Sequence, residues 1–318
     1  MKRDPVSVLD RTAGDGGGMA ADAAAARLVP GYADGVRALV AMRESILAAR
    51  GHEPAPGAAE GDIRRLLASL FSPEILELQV IDWASPSAVL DRIVQYEAVH
   101  DIADREELRR RLQPEDRRCY GLFHPAMPHD PVIFTEVALT SGPVASIDLI
   151  LERERTPLRA ESATTAIFYS ISGSQPGLRG IAFGGLMIAR VLAHLRTAVP
   201  RLNEFLTLSP IPGLRSWLSD RSVSEDASAF RRMSAQSLAD SAPDSGVPGA
   251  RDELRRAAAA YLLDARREDG RPADPVARFH LGNGARLDHV YVDADRSARG
   301  VQESFGLMAS YRYERKAR

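Results

Sequence analysis

Residues 167–198 read IFYSISGSQPGLRGIAFGGLMIARVLAHLRTA, and the expected fold turns on this stretch. Ala166 to Ser172 is rich in β-branched and aromatic side chains, as a buried strand requires. Residues 183–198 place Ile188, Val191, Leu192 and Leu195 on one face at helical spacing. Between strand and helix lie Gly177, Gly180, Gly184 and Gly185. A strand that passes through a glycine turn into a helix gathers backbone N–H groups and the positive end of the helix dipole, where a pyrophosphate is held. The same glycines also suit a tight turn and close packing, and spacing alone does not separate the two readings. No Gly-Lys-Ser/Thr follows, so a nucleotide-hydrolase phosphate loop does not fit.

Outward from this unit the chain alternates strands and helices. Val132 to Leu139 is the second clear strand, and it ends at the turn Ser141-Gly142-Pro143. Ile75 to Ile81 and Phe205 to Leu208 also read as strands. Helices are expected after Ser85-Pro86-Ser87, and over 251–267 with Leu254, Ala258, Tyr261 and Leu262 inward. Ahead of these, residues 33–50 carry Val36, Leu39, Val40, Ile46 and Leu47 at helical spacing, and Ile63 to Phe71 forms a shorter helix. Residues 51–61 (GHEPAPGAAEG) read as a linker, and residues 219–249 as a mobile surface connection. The Gly/Ala-rich residues 11–26 are too simple to specify packing, so 1–26 is expected to be a disordered leader. The division expected is therefore a leader at 1–26, a short helical region at 27–71 and an α+β domain at 72–318.

Composition narrows the function. A formal net charge of -2 argues against nucleic acid or an anionic membrane as the main partner. The single cysteine, Cys119, rules out an intrachain disulfide and a cysteine-rich zinc site, in keeping with a reducing cytoplasm. No apolar run is long enough to span a bilayer. The first residues lack the apolar core of a secretory signal, and the last three are not a peroxisomal address.

Two polar residues stand in suggestive places. Ser209, in LSPIPG at 208–213, follows an apolar strand and so reaches a cleft, or it caps a helical turn opened by Pro210. His280, in RFHLGNGA at 278–285, precedes a Gly-Asn-Gly turn. It either faces a pocket as a proton donor or is a satisfied structural histidine. His124 and His129 are separated by prolines, lack the spacing of a metal motif and read as loop residues; no metal is expected. The charge runs at 105–118 and 251–269 read as solvated helix faces.

Together, RRCYGLFHPAMPHDPVIFTEVALT at 117–140, TTAIFYSISGSQPGLRGIAFG at 164–184, LTLSPIPGLRSWL at 206–218 and FHLGNGARLDHVYVDADRSARGVQESFGLMASYRYE at 279–314 resemble the malonyl-CoA decarboxylase family. The resemblance spans roughly residues 72–318. It implies a GNAT-like acyl-CoA-binding domain of the α+β class, with a central, mostly antiparallel sheet flanked by helices. It further implies that Ser209 and His280 are catalytic. Arg179, Gly180, Ile181, Ala182, Phe183, Gly184 and Gly185 would form the CoA-binding turn, with Ser170 and Tyr313 as polar groups of the substrate site. Ala182 stands where family members carry a glutamate. The family's larger helical domain makes oligomer contacts; the shorter 27–71 region leaves a homo-oligomer open.

The activity implied is conversion of malonyl-CoA to acetyl-CoA and carbon dioxide with no cofactor, coenzyme A being part of the substrate. The thioester is its own electron sink. Ser209 would orient the carboxylate and His280 would protonate the enolate. Competing expectations are a GNAT-type acyltransferase, a decarboxylase of methylmalonyl or carrier-bound malonyl groups, and a non-catalytic acyl-CoA-binding module.

Overall fold

A computed structural model describes residues 31–50, 58–219 and 250–314. The expected leader, most of the linker and the expected mobile connection lie outside these residues. Helix α1 is Tyr32–Arg50 and α2 is Ala58–Leu70. Residues 58–61, expected in the linker, are helical. The other helices are α3 (Ser87–Tyr96), α4 (Arg105–Leu112), α5 (Ile147–Leu151), α6 (Gly184–Ala198), α7 (Leu214–Ser219), α8 (Ala250–Asp264), α9 (Pro275–Gly282) and α10 (Ala298–Ser304). The strands are β1 (Glu77–Ile81), β2 (Arg117–Phe123), β3 (Ile133–Thr140), β4 (Thr165–Gly173), β5 (Glu204–Thr207), β6 (Ser209–Pro210), β7 (Ala285–Tyr291) and β8 (Met308–Tyr313).

The chain divides into two compact units. The first holds the described residues to Leu112, then Cys119–Thr135 and Ile171–Ala193. Its strands follow the order β1-β2-β3, with β1 antiparallel to β2 and Ile81 opposite Cys119. Ile81, Leu90, Ile93, Leu108, Cys119 and Phe134 form its core. In α1 the buried residues are Val36, Val40 and Arg43, spaced by four and three so that they share one stripe. That stripe therefore ends in a buried charge. His124 is also internal. Its Nδ1 accepts the Ala126 N–H at 3.0 Å, its Nε2 lies 3.2 Å from the Leu70 carbonyl, and its ring packs on Phe71. Both histidines lie in the connection between β2 and β3, as expected of loop residues, His124 buried within it and His129 exposed.

The second unit holds Gln113–Arg118, Glu136–Ser170 and the described residues from His194 onward. Its strands run β3-β4-β5-β8-β6, with β7 beside β8. β4 and β5 are parallel, while β8 is antiparallel to β5, β6 and β7. The expected mostly antiparallel α+β arrangement is what these pairings form, β4 with β5 being parallel. Arg312 ties three strands together, its Nε donating to Asp288 of β7 at 2.7 Å and its Nη1 to Glu204 of β5 at 2.7 Å. A register shift between Leu287 and His289 leaves Asp288 as the extra residue. Ile211, Leu214, Ala258, Tyr261, Leu262, Ala277 and Tyr311 build the core under α7, α8 and α9.

The charge run at 105–118 departs from expectation, since Arg111, Asp116 and Arg117 are all buried. In the first unit, Arg111 donates to the carbonyls of His100 at 2.8 Å and Asp101 at 3.0 Å. In the second, Arg117 donates to the Ile150 carbonyl at 2.7 Å, and Asp116 accepts from Arg155 and from the Leu158 N–H. A guanidinium has five donors, and enough of them meet carbonyl or carboxylate oxygens here to offset the loss of water.

Candidate active site

Residues two apart on a strand share a face, and this rule assembles the site in the second unit. Thr207 ends β5 and Ser209 begins β6; Tyr311 and Tyr313 lie on β8. Against these four stands His280, on α9. Its Nε2 is 3.1 Å from the Ser209 Oγ and its Nδ1 is 2.9 Å from the Tyr313 hydroxyl. The Ser209 Oγ donates to the Thr207 Oγ1 at 2.9 Å, and the Tyr311 N–H donates to that same oxygen at 3.1 Å. The His280 ring stacks on Tyr311 with centroids 4.7 Å apart and meets Phe279 edge-on at 5.0 Å. Three residues distant in sequence are thus joined, while Ser209 caps no helix.

The network assigns the protons. With the Ser209 hydrogen given to Thr207, Nε2 has to donate and Nδ1 to accept, so the Tyr313 phenol, kept protonated by burial, donates to Nδ1. Nε2 then carries the imidazole hydrogen and offers it to Ser209, whose own hydrogen goes to Thr207. Four side chains form one directional chain, Tyr313 to His280 to Ser209 to Thr207. Burial pushes His280 down to about 3, so the ring is neutral near pH 7. Neutral members cost far less to bury than a charged ring, and Ser209 and His280 are 5% and 4% exposed.

Asp274 holds the histidine helix in place. It is the N-cap of α9, accepting the N–H groups of Val276 at 2.9 Å and Ala277 at 2.8 Å, with Pro275 as the next residue. Burial raises its pKa, against the pull of the amides it caps. Its carboxylate also lies beside the turn after Ser209, Oδ2 falling 3.6 Å from where a Cβ on Gly213 would stand. Asp274 and Thr207 are site residues that the sequence reading passed over. The Asp-Pro pair was a legible cap signal, and the two-residue spacing of Thr207 and Ser209 was a legible face signal.

Ser170 is also in this unit, buried on β4 at 2% exposure. The other expected binding residues, Arg179 to Gly185, belong to the first unit. There, Pro176–Leu178 forms a 3-10 turn, Gly180 takes a φ of 82°, and Gly184 opens the fifteen-residue helix α6. Arg179, Gly180 and Ala182 are exposed, whereas Phe183 is buried and packs edge-on against Phe71 at 6.3 Å. An exposed guanidinium thus precedes a helix N-terminus, a setting that attracts anions. Among the described residues no three metal-ligating side chains converge, and no helix is long and apolar enough to cross a membrane.

The sequence profile described as the malonyl-CoA decarboxylase C-terminal domain matches residues 74–317. The mitochondrial malonyl-CoA decarboxylase of Anser anser anser is 35% identical over 309 residues, covering 88% of this chain and 61% of that protein. That of Rattus norvegicus is 32% identical over 309 residues, covering 88% and 62%. The chain therefore spans about three fifths of the length of these curated relatives. The crystal structure of malonyl-CoA decarboxylase from Rhodopseudomonas palustris is similar at TM-score 0.79 and 43% identity, covering 91% of this chain and 71% of that one. The crystal structure of the Agrobacterium vitis protein is similar at TM-score 0.79 and 38% identity, covering 98% and 84%.

Proposed function

The chain belongs to the malonyl-CoA decarboxylase family, and we propose that it converts malonyl-CoA to acetyl-CoA and carbon dioxide, with no cofactor besides the coenzyme A of the substrate. The observation that carries this reading is the chain of hydrogen bonds in which Ser209 meets the Nε2 of His280 while Tyr313 holds the Nδ1.

Breaking the bond between Cα and the carboxylate sends its electron pair into the thioester, giving an enolate and carbon dioxide. Cα then takes a proton. The reaction is helped by a group that fixes the carboxylate across the carbonyl plane and by an acid beside Cα. In this reading the Ser209 hydroxyl turns from Thr207 to the carboxylate as the positioning donor, and His280, charged once that carboxylate is bound, supplies the proton from Nε2. Solvent restores that proton, so the balance is one malonyl thioester anion and one proton consumed per acetyl thioester and carbon dioxide. Tyr313 keeps the ring turned so that Nε2 faces Ser209. Ser170 contributes a polar contact to the acyl group. Arg179 to Gly185 would take the coenzyme A pyrophosphate through exposed Arg179 and the amides at the start of α6.

We treat residues 72–318 as the catalytic domain. We place the chain in a reducing compartment such as the cytoplasm, since a single cysteine allows no intrachain disulfide. The test is incubation with malonyl-CoA alone, followed by release of carbon dioxide. Turnover without an acceptor supports decarboxylation. A requirement for an amine or hydroxyl acceptor means an acyltransferase, and tight binding without product means a binding module. In the active protein, His280→Ala is expected to lose at least ~10²-fold in kcat while still binding coenzyme A. Unchanged turnover rejects the assignment of His280.

A further inference from the structure

In the first unit a buried ion pair sits behind the glycine turn. Arg43 of α1 and Glu60 of α2 are 2% and 4% exposed. Arg43 donates from Nε at 2.8 Å and from Nη2 at 2.7 Å to the same oxygen of Glu60. Its remaining fork nitrogen, Nη1, donates to the carbonyl of Gly177 at 2.6 Å. That carbonyl lies two residues before Arg179. The backbone there also touches α1 directly, because a Cβ on Gly177 would fall 2.1 Å from the Val40 carbonyl oxygen. Only glycine permits this approach.

The turn is fixed at both ends. Upstream it is gripped by Arg43; downstream Phe183 is lodged against Phe71. Between them the backbone closes on itself, with Arg179 N–H on the Pro176 carbonyl and Ile181 N–H on that of Leu178, both at 3.1 Å. A buried ion pair is a poor way to gain stability, since desolvation offsets most of the attraction. A planar guanidinium held by one carboxylate is nonetheless well suited to fixing the position of a third group. We infer that the Arg43–Glu60 pair is a positioning device, setting the place of the Arg179–Gly185 turn and hence its affinity for the coenzyme A pyrophosphate without touching it. This rests on the role proposed above for that turn.

The experiment compares malonyl-CoA with malonyl-pantetheine, which has the same reacting end and no pyrophosphate. The variants are Arg43→Lys, which keeps the charge but loses the fork, and the double change Arg43→Met with Glu60→Leu. The double change removes both charges, so that a folded protein is obtained if the single change fails. The expected result is a KM for malonyl-CoA raised about tenfold or more with kcat nearly unchanged, and no change in kcat/KM for malonyl-pantetheine. Equal losses on the two substrates would show general damage and overturn the inference, as would folded variants with wild-type KM for malonyl-CoA. A wild-type protein that uses both substrates equally well would instead overturn the role of the turn, and the inference with it. Should the wild type decarboxylate neither, calorimetric affinities for coenzyme A and pantetheine replace KM, and weakened binding of coenzyme A alone remains the supporting result.

Discussion

A ring as deeply buried as His280 can act as an acid only if something in the complex restores its charge, and the bound carboxylate is the candidate. Burial pushes the ring to about 3 from an ordinary 6.5, a penalty of roughly 5 kcal/mol on the charged form. A carboxylate held about 4 Å away, at an effective dielectric of about 20, returns roughly 4 kcal/mol. The ring in the complex should therefore titrate near about pH 6. The sign follows directly. The charged ring is the working form, so kcat is level below that value and falls as pH rises through it. kcat/KM reports the free protein, so it should fall tenfold per pH unit across about pH 5 to 9 without a bend. Stopped-flow turnover over that range checks both profiles. Calorimetry in buffers of differing ionisation enthalpy should show uptake of about half a proton per site near pH 6 with a non-cleavable malonyl thioether. Acetyl-CoA, lacking the carboxylate, should show none. A kcat that stays flat across the range, or the absence of uptake with the malonyl analogue, excludes a charged His280 as the acid.

Two further changes probe the support of the site. Tyr313→Phe leaves the buried Nδ1 without its donor, and urea unfolding should show a loss of ~1–3 kcal/mol; an unchanged midpoint would mean that the hydroxyl does not hold the ring. In Gly213→Ala the new Cβ would lie 2.0 Å from the Tyr261 hydroxyl, so Tm should drop by an amount corresponding to ~1–3 kcal/mol. Adding Tyr261→Phe should recover part of that loss, and no recovery would place the strain elsewhere.

The elements easiest to read were those with a clean period. The strand ending at Ser172 and the helix from 183 to 198 match β4 and α6 closely because β-branched runs and a helical stripe survive burial. β8 showed no such signal. Its residues are buried on both faces except Arg312, so no alternation marks it. β7 is charged, half-exposed and interrupted at Asp288, and β2 opens with two arginines. Charge also misled at 105–118, where the hydrogen bonds that permit Arg111 and Arg117 to be buried come from carbonyls distant along the chain. At the site itself Pro210 drew Ser209 toward a capping role, whereas the partner that decides the matter, His280, is a tertiary neighbour invisible to local patterns. The cap at Asp274 was present in the letters; what it fastens was not.

Both tyrosines that frame the imidazole occupy alternate positions of a single strand, and this constrains how the protein can vary. A one-residue slip in the pairing of β8 would flip its parity and turn Tyr311 and Tyr313 away together. No halfway state keeps one and loses the other. Length changes in the loop after α10 should therefore be tolerated in descendants only where the added chain is absorbed before the strand begins.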